Sequence, residues 1–197
     1  MLLQISTNHS PATDLGFLLA KNPARVQKFD MSFGAAHAFY PVANEEKCTF
    51  ALLLEVDPIA LVRGKGRESG PLAQYVNDRP YVASSFLSVA IAGVLRSALN
   101  GVCKELPELA TLEIPLEIQI EGVPCSEETA RNLFEPLDCE VSVEKFALNG
   151  NSAWGDAPFV RLHLKTRKRL SEMLAHLYVL LPVMDDDKHY YIGEDEV

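Results

Sequence analysis

The sequence has no CxxC pair, no GxxxxGK[ST] loop, no GxSxG elbow and no HExxH or HxH pattern. Each absence removes a class of chemistry. Cys48, Cys103, Cys125 and Cys139 stand too far apart for the ligand spacing of zinc fingers or ribbons. They are expected to be scattered buried thiols of a reducing cytoplasm rather than a disulfide framework. The start, MLLQISTNHS, lacks the basic and long apolar regions of a signal peptide. The longest uncharged run, between Arg79 and Arg96, contains Pro80, Ser84, Ser85 and Ser88. It falls short of the ~20 apolar residues of a membrane span, so it reads as a buried helix. Basic charge is also scarce: 18 Lys+Arg face 27 Asp+Glu, a net charge of −9. A broad, sequence-independent grip on nucleic acid needs many cations to displace counterions, so the whole molecule is a poor candidate for one.

What is present is an ordinary globular composition. The chain has 197 residues, 48% hydrophobic and 23% charged. That length suits one large domain or two small ones. Leu2 to Ser6 reads as a strand, and Ser10-Pro11 as an N-cap and first position of a helix ending near Asn22-Pro23. Phe29, Met31 and Phe33 alternate with polar residues as a half-buried strand does, with Gly34 as a turn and Ala36 to Tyr40 as the partner strand closed by Pro41. Cys48 to Val56 (CTFALLLEV) is nearly all apolar, as befits a central strand. Asp57-Pro58 resembles a second helix start. The longest helix is expected over about Tyr81 to Leu99, ended by Asn100-Gly101; it is apolar all round and so belongs in a core.

In the second half, Ile114 to Ile120 is a strand whose Pro115 implies a sheet edge or a strand start. Ser126 caps a helix with Glu127 and Glu128 in its first turn, ending before Pro136. Glu140 to Phe146 and Phe159 to Lys165 alternate as strands. Leu170, Met173, Leu174, Leu177, Tyr178 and Leu181 mark the buried stripe of a last helix, ended by Pro182. The expected fold is α+β, with a mixed or antiparallel sheet packed with helices. The order suggests two β-α-β-β-α-like halves, 1–110 and 111–184, within one compact domain over 1–184, although no residue-level repeat supports a duplication.

Few residues point to chemistry. RGKGRESGP, from Arg63 to Pro71, is rich in glycine but sits between helices, so it reads as a solvated loop. Ser84-Ser85 has no nucleophile elbow, and a helical serine commonly bonds back to a carbonyl. His9, His37, His163, His176 and His189 share no ligand spacing, so catalytic use would need partners supplied by the fold. Arg161, Lys165, Arg167, Lys168 and Arg169 form a basic cluster at an expected strand-to-helix turn. It could touch phosphate or an acidic partner, or be a solvated face; no aromatic residues interleave to stack bases. The terminal stretch Asp185-Asp186-Asp187-Lys188-His189-Tyr190-Tyr191 has three readings: a recognition surface, a solvated acidic turn, or a metal site. The last is the weakest, since three adjacent carboxylates on an extended chain cannot all point at one ion.

Five strings carry a resemblance: FDMSFGAAHAFYP (Phe29 to Pro41), LLLEVDP (Leu52 to Pro58), YVNDRPYVASSFLSVAIA (Tyr75 to Ala92), CKELPELA (Cys103 to Ala110) and HLYVLLPVMDDDKHYYIGEDEV (His176 to Val197). Together the chain resembles the amino-terminal domain of the bacterial Hen-type RNA 3′-terminal ribose 2′-O-methyltransferase, from Met1 to Val197. In that family a second domain holds S-adenosylmethionine and a divalent metal. This sequence lacks that domain's glycine-rich loop and Glu/His cluster, so the resemblance implies a non-catalytic segment with no cofactor of its own. It implies further that 185–197 is an acidic tail leading to the methyltransferase domain. The implied partner is a bacterial polynucleotide kinase-phosphatase with a ligase module, whose adenylylation the domain activates in RNA repair. Damaged RNA is then met indirectly, in the cytoplasm, with no membrane involved.

Contact candidates are Asp78, Arg79 and Tyr81 in the NDRPY turn, and Asp187, His189, Tyr190 and Tyr191 in the tail. They are inferred from charge and aromaticity rather than carried over from the family. A direct RNA-binding module, presenting RNA ends through the basic cluster, is the alternative. A small enzyme with a site assembled only by the fold is the third class. Of the net charge, Asp185 to Val197 carries six acids against one lysine, so the acidity is concentrated in the tail and the rest is nearly balanced.

Overall fold

The computed structural model describes residues 1–57, 83–148 and 155–184. Seven strands form one sheet: β1 (Leu2–Thr7), β2 (Gln27–Met31), β3 (Gly34–Ala43), β4 (Cys48–Val56), β5 (Ile114–Val123), β6 (Glu140–Ala147) and β7 (Asp156–Lys168). Their order is β2-β3-β4-β1-β5-β7-β6, and every pairing is antiparallel. Among the described residues five α-helices accompany it: α1 (Leu15–Leu18), α2 (Ala83–Val94), α3 (Arg96–Leu99), α4 (Glu127–Phe134) and α5 (Leu170–Leu180). The α+β expectation therefore holds, with the sheet antiparallel throughout.

Alternation decides which face of the sheet is covered. Leu3, Ile5, Phe50, Leu52, Ile118, Ile120, Leu162 and Leu164 are fully buried, and they meet Leu87, Ile91, Leu95, Met173, Leu174 and Leu177 from the helices. The opposite face carries the polar partners of the same alternation, such as Gln4, Gln119, Glu121, Arg161 and His163. β4 is interior, as its continuous apolar run implies. Ser126 caps α4 as expected, its Oγ accepting from the Thr129 amide at 3.0 Å.

Several local expectations are corrected. The first helix is a short 3-10 turn, Ala12–Asp14, followed by α1; Pro11 precedes it, and no side chain caps it. It stops early because Ala20 takes a left-handed conformation (φ 52°). Phe33 lies in the turn between β2 and β3, where its ring stacks on Phe86 with centroids 4.5 Å apart. Pro41 does not close β3: a bulge between Phe39 and Val42 absorbs the residue that cannot donate to the ladder. Pro115 is not on an edge. It starts an interior strand, beyond the reach of the β1 ladder, and its carbonyl accepts from Thr7 Oγ1 at 2.7 Å. The long helix breaks at Leu95 (φ −108°, ψ 25°), and Gly101 ends it at positive φ.

α2 and α5 run antiparallel. α2 packs against the 3-10 turn Leu181–Met184 that extends α5, while α3 packs on α5 and Gly101 lies against Ser171 near the start of α5. Three buried side-chain atoms in these two helices find no hydrogen-bond partner: Ser84 Oγ, Ser88 Oγ and His176 Nδ1. An unpaired buried hydroxyl is a net cost. Ser88→Ala is therefore expected to raise the free energy of unfolding by about 1 kcal/mol, read from urea denaturation.

Gly34 has φ 140°, and a Cβ there would collide with the Glu55 carbonyl of the paired strand. Gly122 also has positive φ (81°), but open space surrounds its missing Cβ. Gly34→Ala should cost about 3 kcal/mol or more, against about 1 kcal/mol for Gly122→Ala, in the same urea measurement.

Candidate functional site

Only Arg169 of the basic cluster sits at the strand-to-helix junction; the others lie along β7. β7 continues to Lys168 because β5 pairs with it as far as Ile114. Arg161, His163, Lys165 and Arg167 alternate onto the open face, while Val160, Leu162 and Leu164 are buried. Lys168 falls on the other side and is largely buried, with Nζ 3.4 Å from Glu172 Oε1 and 3.9 Å from Asp138 Oδ2. Arg169 precedes α5 and reaches Glu172 Oε2 at 3.4 Å. Burial alone would raise the Glu172 carboxyl, but its bonds to Lys168 and Arg169 outweigh that and hold it below its usual range.

Register places carboxylates beside the cations of the open face. Arg161 stands opposite Glu121 on β5 and Glu144 on β6, and donates to both; its Nε is 2.6 Å from Glu121 Oε1. The guanidinium also lies 5.1 Å from the centre of the Phe146 ring. Lys165 is opposite Glu117 and Glu140, with Nζ 3.9 Å from Glu117 Oε1. Arg167 alone of the five has no carboxylate partner among the described residues. A phosphate approaching this row would have to displace carboxylates or share the cations with them. The sequence could not show this, because the acids come from other strands.

Asp78, Arg79, Tyr81, Asp187, His189, Tyr190 and Tyr191 lie outside the described residues. The helix α2, from Ala83, and the 3-10 turn that ends at Met184 pack on each other.

The enzyme reading requires converging groups. A cleft of about 640 Å³ lies between α1 and the segment after α3, lined by Gly16, Phe17, Lys21, Asn22, Pro23 and Lys104 among others. Burial lowers the Lys21 amine, which lies 5.5 Å from the centre of the Phe29 ring. The lining includes no histidine or cysteine. His37 is bonded to Glu55 at 3.0 Å, and His163 lies on the open face. All four cysteines are buried, and burial pushes the Cys48 and Cys139 thiols up. Among the described residues, no three His, Cys, Asp or Glu side chains are grouped to hold a metal, and no helix is long and apolar enough to cross a membrane.

Sequence reasoning missed one surface. Tyr178, assigned above to the buried stripe of α5, is exposed, together with Val179 and Val183. Val89 of α2 is exposed too, so that helix is not buried all round. The available signal was the lack of any charged residue from Met173 to Met184. A helix on a sheet ordinarily carries charge on its outward side.

These features define an α+β domain of one antiparallel sheet backed by helices, with a mixed-charge face and an uncharged face. The chain belongs to the Hen1_L family, described as the "RNA repair, ligase-Pnkp-associating, region of Hen1", which it matches over residues 1–197. This agrees with the resemblance read from the sequence. The fold is similar to a chain in the structure of the Pnkp1/Rnl/Hen1 RNA repair complex, with TM-score 0.62 and 12% identity, covering 100% of this chain and 45% of that one. A structure of the Pnkp1/Rnl/Hen1 complex has a similar chain, with TM-score 0.57 and 10% identity, covering 96% of this chain and 43% of that one. The chain thus spans less than half of either relative. No curated protein sequence matches it.

The Arg161 network is half-exposed, so its energy is modest. Arg161→Ala should lower stability by about 1 kcal/mol, and raising the salt concentration should shrink the difference between variant and wild type in thermal melts.

Proposed function

We propose that this chain is a non-catalytic activator. It binds a bacterial polynucleotide kinase-phosphatase that carries a ligase module, and it promotes adenylylation of that ligase in RNA repair. The observation that carries this reading is the match of residues 1–197 to a ligase-Pnkp-associating region. On this reading S-adenosylmethionine and its divalent metal belong to a methyltransferase domain and not to this segment. Residues 1–184 are then the binding domain, 185–197 an acidic tail, and the cytoplasm the place of action.

The mechanism is selection of a conformation. A docked domain favours whichever ligase state binds it more tightly, in proportion to the difference in affinity. A tenfold shift toward the state that binds ATP and accepts AMP needs ~1.4 kcal/mol of such difference. In this reading Asp78, Arg79, Tyr81, Asp187, His189, Tyr190 and Tyr191 are contacts. RNA is met through the partner, because the cations of the open face are largely matched by Glu117, Glu121 and Glu144.

The test is co-purification with the kinase-phosphatase-ligase of the same organism, followed by transfer of labelled AMP from ATP to the ligase. Added chain should raise adenylylation about tenfold or more. Alanine replacement of either candidate cluster should reduce it, and unchanged activation by both would remove those residues from the interface. Filter binding of RNA at two salt concentrations examines the alternative. Tight retention that weakens with salt and is lost in Arg167→Ala would favour a direct RNA-binding module.

A further inference from the structure

The outward side of the α2/α5 pair combines exposed apolar side chains with a scarcity of charge. From Ala83 to Leu95 there is no Asp, Glu, Lys or Arg, and from Leu170 to Met184 there is only Glu172. The outward positions are Val89, Tyr178, Val179 and Val183, which are 51%, 43%, 59% and 58% exposed. Tyr178 and Val179 are in the last turn of α5, and Val183 is in the 3-10 turn that packs on α2. The apolar positions of α5 therefore approach the end of the helix pair where the chain joins α2 and leaves Met184.

We infer that this uncharged face is the docking surface for a protein, the ligase-bearing kinase-phosphatase, with Tyr178 as its anchor. The inference rests on the proposed function and adds the surface through which it acts. Two observations select that occupant. Residues 83–95 and 170–184 contain no Lys or Arg, so a polyanion such as RNA finds no cation on them. The family region is described by its association with ligase and Pnkp, which are proteins. An uncharged centre with an exposed tyrosine is the usual composition of the middle of a protein–protein interface.

The experiment uses the 197-residue chain and the kinase-phosphatase-ligase of the same organism. Dissociation constants are measured for wild type, Tyr178→Glu, Val179→Glu and Arg161→Ala, with urea midpoints for each. Tyr178→Glu and Val179→Glu should weaken association about tenfold or more at unchanged midpoints, while Arg161→Ala stays within about twofold of wild type. Hydrogen exchange of the wild-type complex gives a second readout that needs no variant: amides at the end of α5 and in the turn after it should gain protection on binding. Wild-type association with neither weakening nor protection overturns this surface and leaves the proposed function standing. Failure of the wild type to associate overturns both. Concentration-dependent dimerisation lost in Tyr178→Glu, with partner affinity intact, would assign the face to a second copy instead and overturn the inference.

Discussion

β1 is paired along both sides, all six residues with β4 and Leu2 to Ser6 with β5, and the other elements take their places from that double pairing. Leu3 and Ile5 project from it into the core and are fully buried. Outward from β1 the order is β4 then β3; outward from β5 it is β7 then β6. Each half therefore repeats one wiring, in which a strand pairs with the last strand of its own half, and that strand with the one before it. Each half then supplies a helix after its last strand, α2 and α5, and these two pack as an antiparallel pair. The sheet junction and the helix pair are two layers of one arrangement.

That arrangement separates two kinds of surface. On the open sheet face, charges meet across strands: Glu121, Arg161 and Glu144 form a row, as do Glu117 and Lys165 with Glu140 opposite in register. Such a face is well solvated and close to neutral, and it offers little to a polyanion. On the helix face the charges are missing, and burial of apolar surface would be the main gain on contact. The chemistry of recognition thus differs between the two sides. The difference arises because one side needs only solvation, while the other is formed by helices apolar around most of their circumference.

Much of the fold was legible because local pattern and tertiary position agree. The alternation of Glu140 to Phe146, the apolar run of Cys48 to Val56 and the Ser126 cap each reflect one short-range rule. Legibility failed where two distant segments jointly decide the outcome. The basic cluster reads as free cations until Glu121, forty positions from Arg161, is brought alongside it. Pro115 reads equally as an edge residue or a strand start until the β1 ladder proves to end short of it, which leaves the strand start. Tyr178 falls at a helical spacing shared by the buried stripe, and only the packing of α5 on its neighbours shows that it lies at the stripe's outer margin. The candidate contacts Asp78, Arg79, Tyr81, Asp187, His189, Tyr190 and Tyr191 lie outside the described residues.

The double pairing of β1 also shapes the order in which the chain can acquire structure. Leu2 meets Leu53 on one side and Glu121 on the other. The second of these contacts closes a loop of more than half the chain. Pairings between residues so far apart in sequence form slowly, since the loop entropy is lost before the contact is gained. During synthesis the first strand can join β4 early, yet its other edge stays uncovered until β5 has emerged. For that interval the nascent protein presents an unpaired strand edge beside exposed core residues, a state prone to mispairing with other chains. The strand on which the finished fold depends is thus completed late.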